Sequence, residues 1–398
     1  MFGRACAGAP APAVEIPTLE DMPTAAAIAM VTARSGLVTL TRSTSLHEGR
    51  LQPPTVIHAR TGTGTEEALI LLPRALHRRE AARDVRRFWI DTDTAGDDVT
   101  SLLFGLLWPD VVLEGIGTVA GNVYLHEATR NALYTLEVAR RTDVPVYPGA
   151  DRPLLRELFT AHYVHGSDGM GNSNFPAPKI APRAPHAVDA LLAAAHSFGR
   201  DLVVIAQGPL TNVALAVMKE PDLPQRVGRL WIMGGANNSL GNVSPAAEFN
   251  FYVDPEAAHV VLNAGFDAVL VPWDVCLAHG VLTRGELRPI LEMHSELSEF
   301  YLAVNRAAWD FMSTRPEGPN IDGIGHPDAL TIALAIDEGL VTDRGRYFVD
   351  VEHSGELTRG YSLVDLAGVL HRPPNADVVL AADKGRFRAI LIEMLGRR

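Results

Sequence analysis

Only two cysteines, Cys6 and Cys276, occur in 398 residues, and they stand far apart. Such a pair makes no disulfide framework and fits a reducing, cytoplasmic setting. Basic residues are in deficit: 35 Lys and Arg face 47 Asp and Glu, a formal net charge of -12. That balance argues against a nucleic-acid or anionic-membrane partner and leaves a small-molecule ligand. No apolar run approaches the length of a membrane span. What is present is ample core material, 47% hydrophobic residues against 21% charged, enough for one or two domains.

Sustained periodicity is also missing from residues 1–86. Ala, Pro, Thr and Gly dominate there, as in Ala7-Gly8-Ala9-Pro10-Ala11-Pro12 and Thr61-Gly62-Thr63-Gly64-Thr65. Glu15, Glu20 and Asp21 interrupt the place where a signal peptide would carry its apolar core. The reading is a poorly ordered N-terminal extension over 1–86 and a single catalytic domain over 87–398.

That second part is organised around Phe88-Trp89-Ile90-Asp91-Thr92-Asp93-Thr94-Ala95-Gly96-Asp97-Asp98. An apolar strand runs into a turn, and a helix opens at Asp97 and Asp98. Its stripe is Val99, Leu102, Leu103, Leu106 and Leu107, the spacing of a helix lying on a sheet. Capping and the helix dipole account for one or two acids at a helix start. They do not account for Asp91 and Asp93 as well. Four acids in eight positions repel one another unless a cation sits among them, and oxygen ligands select a hard ion, calcium or magnesium.

Three patterns compete for this stretch. An EF-hand loop would place Gly96 correctly, but its twelfth position is Leu102 in place of Glu. A haloacid-dehalogenase-like phosphatase would use Asp91 as nucleophile. The third is Asp-x-Asp-x-x-x-Asp-Asp after an apolar strand, matched at Asp91, Asp93, Asp97 and Asp98.

The order of elements downstream narrows the choice. Strand, turn and helix alternate to the end, which predicts an α/β fold with a mostly parallel sheet covered on both faces. Expected strands include Val111–Ala120, Val144–Tyr147, Leu202–Ala206, Arg229–Met233, Asp267–Val271, Tyr347–Val351, Tyr361–Val364 and Asp377–Leu380. Leu282 to Met312 reads as helical without a strand. His162 to Asn174 reads as a polar, glycine-rich, mobile loop. Asp91, Asp93, Asn122, Gln207, Asn242, Glu248, Asn250 and Asp274 all follow the carboxyl ends of predicted strands, where open α/β sheets bind ligands.

The motif series resembles the inosine–uridine nucleoside hydrolase family across essentially all of 87–398. It runs through Thr118-Val119-Ala120-Gly121-Asn122, His165-Gly166-Ser167-Asp168-Gly169, Gly208-Pro209-Leu210-Thr211-Asn212 and Met233-Gly234-Gly235. It continues at Gly241-Asn242, Ala247-Glu248-Phe249-Asn250, Asp254-Pro255-Glu256-Ala257 and Pro327-Asp328-Ala329. The resemblance implies a Rossmann-like open sheet and hydrolysis of a ribonucleoside to base and ribose. It also implies one calcium ion held by Asp93, Asp98, Asp328 and the backbone carbonyl of Gln207. Asp93 would then be the general base for a water. Asp97, Asn122, Asn242, Glu248 and Asn250 would hold the ribose hydroxyls, and Asp91 would orient its neighbours. Family members assemble as homodimers or homotetramers.

One departure stands out. In inosine–uridine-preferring members a His directly precedes the aspartate matched by Asp328, and it protonates the departing base. Here that position is Pro327, and His326 is one residue earlier. His326 therefore shares the candidacy for leaving-group acid with His165, or with base stacking on Trp273 and Trp309. A nucleoside-binding protein without catalysis is the remaining alternative.

Overall fold

The computed structural model describes short paired segments between Thr32 and Glu66, and then residues 85–314 and 320–397. The chain divides into two compact units, Met1–Arg83 and Asp84–Arg398. In the first, Thr32–Ala33 pairs with Gly36–Leu37, and Thr39–Arg42, Ile57–Thr61 and Gly64–Glu66 form an antiparallel sheet. Most of the expected extension lies outside the described residues.

The second unit is built on an eight-stranded sheet. Its strands are β1 (Arg86–Thr92), β2 (Val111–Thr118), β3 (Val146–Pro148), β4 (Leu202–Ala206), β5 (Arg229–Met233), β6 (Ala268–Val271), β7 (Val341–Tyr347) and β8 (Ala376–Ala382). The spatial order is β7-β8-β6-β5-β4-β1-β2-β3, parallel throughout except for edge strand β7. Alternation along the strands feeds two cores. Phe88, Ile90, Ile205, Trp231, Met233, Val269 and Val271 face one, while Trp89, Val204, Ala206, Leu230, Ile232 and Leu270 face the other. Helices α1 (Gly96–Leu107) and α2 (Leu125–Ala139) cover the first core. On the second lie α4 (Ala187–Phe198), α5 (Thr211–Lys219) and α7 (Pro255–Leu262). Short helices between these include α3 (His162–His165) and α6 (Phe249–Val253).

After β6 the chain forms α8 (Arg284–Leu291), α9 (Glu296–Val304), α10 (Arg306–Thr314) and α11 (Pro327–Ile336), and it closes with α12 (Lys384–Leu395). Two expectations need correction here. Leu282–Thr283 pairs with Gly323–Ile324, so the region read as purely helical is bracketed by a short antiparallel ladder. Val341–Tyr347, of which the sequence reading places only Tyr347 in a strand, is β7: its sequence VTDRGRY is charged because an edge strand faces water. Val349–Val351 and Ser362–Val364 pair with each other outside the main sheet.

The topology fixes where a ligand can sit. From β1 the chain winds outward through β2 and β3, then returns to β4 on β1's other side and winds the opposite way. The order reverses between β1 and β4, so a crevice opens at their carboxyl ends. Thr92 and Ala206 end these strands, leaving Asp93 and Gln207 at the lip.

Candidate active site

Beyond Thr92 the chain leaves the sheet and enters α1 within four residues. Asp98 sits in that helix's first turn, fully buried and fastened from several sides. It accepts hydrogen bonds from Thr92 Oγ1 at 2.7 Å, the Ala95 N–H at 3.1 Å, and the amides of Asn122 and Gln207, each at 3.3 Å. Asp93 lies between two glycines: a side chain at Gly121 would overlap its Oδ2, and one at Gly208 would come within 3.0 Å of its Oδ1. Its Oδ2 accepts the Asn122 N–H at 2.6 Å, while its Oδ1 is buried with no partner among the described residues. Asp97 reaches across to α11 and accepts the Asp328 N–H at 3.0 Å. Pro327 at the first turn of α11 needs no donor, which leaves Asp328 free to face the crevice.

Oxygens of Asp97, Asp98 and Asp328 lie within 4.8 Å of one another. Among the described residues no basic side chain pairs with any of these acids. Burial, reinforced by repulsion from Asp98, raises Asp97 to about 7. Asp93 and Asp328 are pushed well above the usual carboxylate range by burial and by their acidic neighbours. Buried carboxylates crowded this closely are stable only if protonated or bridged by a cation. The donor set is all oxygen, and Asp93 Oδ1 is unused, so the residues fit a hard divalent ion.

The neighbouring polar groups complete the wall. The Gln207 side chain holds Ser101 at 2.6 Å, and its carbonyl oxygen faces Asn250 Nδ2 at 3.3 Å. Glu248 caps α6, accepting the N–H groups of Asn250, Phe251 and Gly235, and burial raises it to about 7. Asn242 and Asp274 each bury an oxygen that has no partner. Asp91 is directed elsewhere: its Oδ2 accepts Asn212 Nδ2 at 3.0 Å, tying β1 to α5. An acid held away from the others in this way is a poor nucleophile for the phosphatase reading.

The histidines separate clearly. His326 is fully buried: its Nδ1 meets the Gly280 carbonyl at 2.8 Å and its Nε2 meets the Tyr301 hydroxyl at 2.6 Å. Both nitrogens are engaged inside the protein, and burial lowers the ring to about 4. This geometry engages both His326 nitrogens within the protein and favours the structural role over the acid role for which its displaced position made it one candidate. Burial and nearby His162 also lower His165 to about 4, but its Nδ1 has no partner. Trp309 is likewise turned away, its Nε1 donating to Asp322 at 2.8 Å with Arg284 over its ring.

The loop expected to be mobile is knitted together. Asp168 accepts the N–H groups of Met170, Asn172 and Asn174 at 2.7–2.9 Å. Asn131 on α2 donates to the carbonyls of both Thr94 and Asp168, each at 3.1 Å, and the Gly96 N–H donates to Gly169. The loop and the aspartate turn are thus one unit. Asn131, Asn305 and Tyr301 escaped the sequence reading; the available signal was a polar residue on an otherwise apolar helical stripe.

A family model described as inosine-uridine preferring nucleoside hydrolase matches residues 88–389. The pyrimidine-specific ribonucleoside hydrolase RihA of Salmonella enteritidis is 34% identical over 315 residues, covering 77% of this chain and 97% of that protein. The solved structure of a plant nucleoside hydrolase, the PpNRh1 enzyme, shares 32% identity with a TM-score of 0.74. It covers 79% of this chain and all of its own. A purine-preferring ribonucleoside hydrolase from Gardnerella vaginalis shares 27% identity with a TM-score of 0.72, over 78% of this chain and 98% of that one. With that match spanning most of the second unit, and with the aspartates gathered where the sheet reverses direction, the chain belongs to the inosine-uridine preferring nucleoside hydrolase family.

Proposed function

We propose that this site hydrolyses ribonucleosides with calcium held by Asp93, Asp98, Asp328 and the Gln207 carbonyl, and with Asp93 as general base. The hydrolysis of ribonucleosides to free base and ribose follows from the family. The residue roles are our reading, and one observation carries them. Among the described residues, Asp93, Asn242, Asp274 and Asn305 each bury an oxygen without a partner, and the clustered carboxylates have no basic counter-charge. A pocket so rich in acceptors calls for a ligand that brings donors, and a cation with a polyhydroxylated sugar does so.

When bound, calcium would grip the sugar diol and make a coordinated water more acidic. The chain's own groups do the rest. Asp93 Oδ1 takes a proton from the water as its oxygen bonds to the anomeric carbon. Asp97, Asn122, Asn242, Glu248 and Asn250 hold the ribose hydroxyls, and their oxygens favour the positive charge that develops on the ring. The glycosidic electron pair departs with the base. His165, the histidine with a free ring nitrogen, faces that base in this reading. Cytoplasmic location and assembly as a homodimer or homotetramer belong to the same proposal. The relatives named above differ in base preference, so a panel of purine and pyrimidine ribonucleosides is the direct test, with p-nitrophenyl phosphate alongside. Release of base and ribose is expected; tight binding without turnover, or release of phosphate, would overturn the mechanism.

The raised carboxylates give a second test. Asp91, Asp97 and Glu248 reach about 7 in the folded chain, above their ordinary values. Folding therefore favours their protonated forms, and the stability this supplies at low pH is lost as pH rises through about 7. Ion-free protein should melt at a lower temperature at pH 8 than at pH 5.5. Added calcium should raise the melting temperature far more at pH 8, where the acids are ionised. Equal stabilisation at the two pH values would count against an ion among these acids.

A further inference from the structure

We propose that Ser101 is a positioning residue for the ion site. Its hydroxyl holds the Gln207 side-chain amide, and that amide aligns two groups that would grip calcium, the Asp98 carboxylate and the Gln207 carbonyl. The inference rests on the reading of those two groups as calcium ligands. Ser101 lies on α1, three residues after Asp98, and both it and Gln207 are buried. A buried helical serine often returns its hydroxyl to a carbonyl three or four residues back. Ser101 instead donates to Gln207 Oε1 at 2.6 Å, joining positions 106 apart in the sequence.

The contact fits the way the amide must point. A carboxylate oxygen only accepts, so the amide nitrogen faces Asp98 and the amide oxygen faces Ser101. Gln207 Nε2 stands 3.3 Å from Asp98 Oδ1 and 3.5 Å from Thr92 Oγ1, whose own proton goes to Asp98 at 2.7 Å. The Gln207 main chain is tied as well. Its N–H donates to the Asp91 carbonyl at 2.9 Å, and its carbonyl accepts from Asn250 Nδ2 at 3.3 Å. One residue at the end of β4 thus offers its main-chain oxygen to the ion and steadies a second ligand with its side chain. Ser101 closes this arrangement from α1. Without that hydroxyl, Gln207 Oε1 becomes a buried acceptor in need of a donor. The amide then turns to find one, and Asp98 loses its support.

The test is calorimetric titration of calcium into ion-free protein, with Ser101→Ala, Gln207→Met and the double variant beside the parent. Alanine favours the helix, and Met keeps the reach of the side chain and the main-chain carbonyl of position 207. Ser101→Ala should weaken calcium binding by about tenfold, the usual scale for a group that orients a ligand. Its kcat for inosine should return to within about threefold of the parent once calcium is saturating, because the loss lies in the hold on the ion. With Gln207→Met already in place, Ser101→Ala should weaken binding by no more than about twofold further, since the hydroxyl then has no amide to hold. Unchanged calcium affinity in Ser101→Ala, whatever its melting temperature, would overturn the inference and leave the calcium reading standing. So would additive losses in the double variant, or a kcat that calcium does not restore. A parent that binds no calcium would overturn that reading, and this inference with it.

Discussion

Replacing Asp98 with Asn should abolish calcium binding and nucleoside hydrolysis together, with turnover falling by about 10³-fold or more, roughly 4 kcal/mol of transition-state stabilisation. Asp98 is fully buried and is the acid to which Thr92, Ala95, Asn122 and Gln207 are all tied. The Asn side chain keeps the shape and some of these bonds but loses the charge that holds a divalent ion. Misfolding can be told apart from this by the sign of the stability change. Without an ion, the ionised Asp98 is a buried charge facing Asp93, Asp97 and Asp328. Neutralising it removes repulsion, so ion-free Asp98→Asn should melt no lower than the ion-free parent at pH 8. Calorimetry would then show calcium heat for the parent and none for the variant. Full activity of the parent in excess chelator would end the metal proposal outright.

Much of this site could be read from the chain, and the limits have physical causes. Phe88-Trp89-Ile90 announced a strand buried on both faces, and the two cores divide Trp89 from its neighbours as a parallel sheet requires. The polar residues at strand ends could be grouped because the fold class dictates which sheet edge they share. Contacts set by long-range packing could not. His326 is tied up by Gly280 and Tyr301, residues 46 and 25 positions earlier, and no local pattern reports either bond. The glycine-rich run from His162 to Asn174 looked loose because composition does not reveal that Asp168 gathers three of its N–H groups. Asn305 reads locally as an ordinary helix end. Only the fold brings it to Thr100 on α1.

Asp93→Asn should slow hydrolysis of every ribonucleoside far more than His326→Ala does. Asp93 acts on the water, a step common to all substrates, and a positioned general base typically contributes about 10²–10⁴-fold. The loss should be as large with p-nitrophenyl riboside as with inosine, because the nature of the leaving group does not relieve the need for the base. His326 is different in kind. Its Nδ1 must donate to the Gly280 carbonyl, which leaves Nε2 to accept from Tyr301, and the two rings stack with their planes 3° apart. Removing the imidazole leaves the Tyr301 hydroxyl and the Gly280 carbonyl unpaired in the interior and opens a cavity. A cost of about 2–4 kcal/mol in stability is expected. The signature of His326→Ala should therefore be a lower melting temperature with kcat for inosine within about tenfold. A hundredfold loss on inosine that spares p-nitrophenyl riboside would reverse this assignment. His326 would then be the acid, and the Tyr301–His326 pair would have to open during turnover to let its proton reach the base.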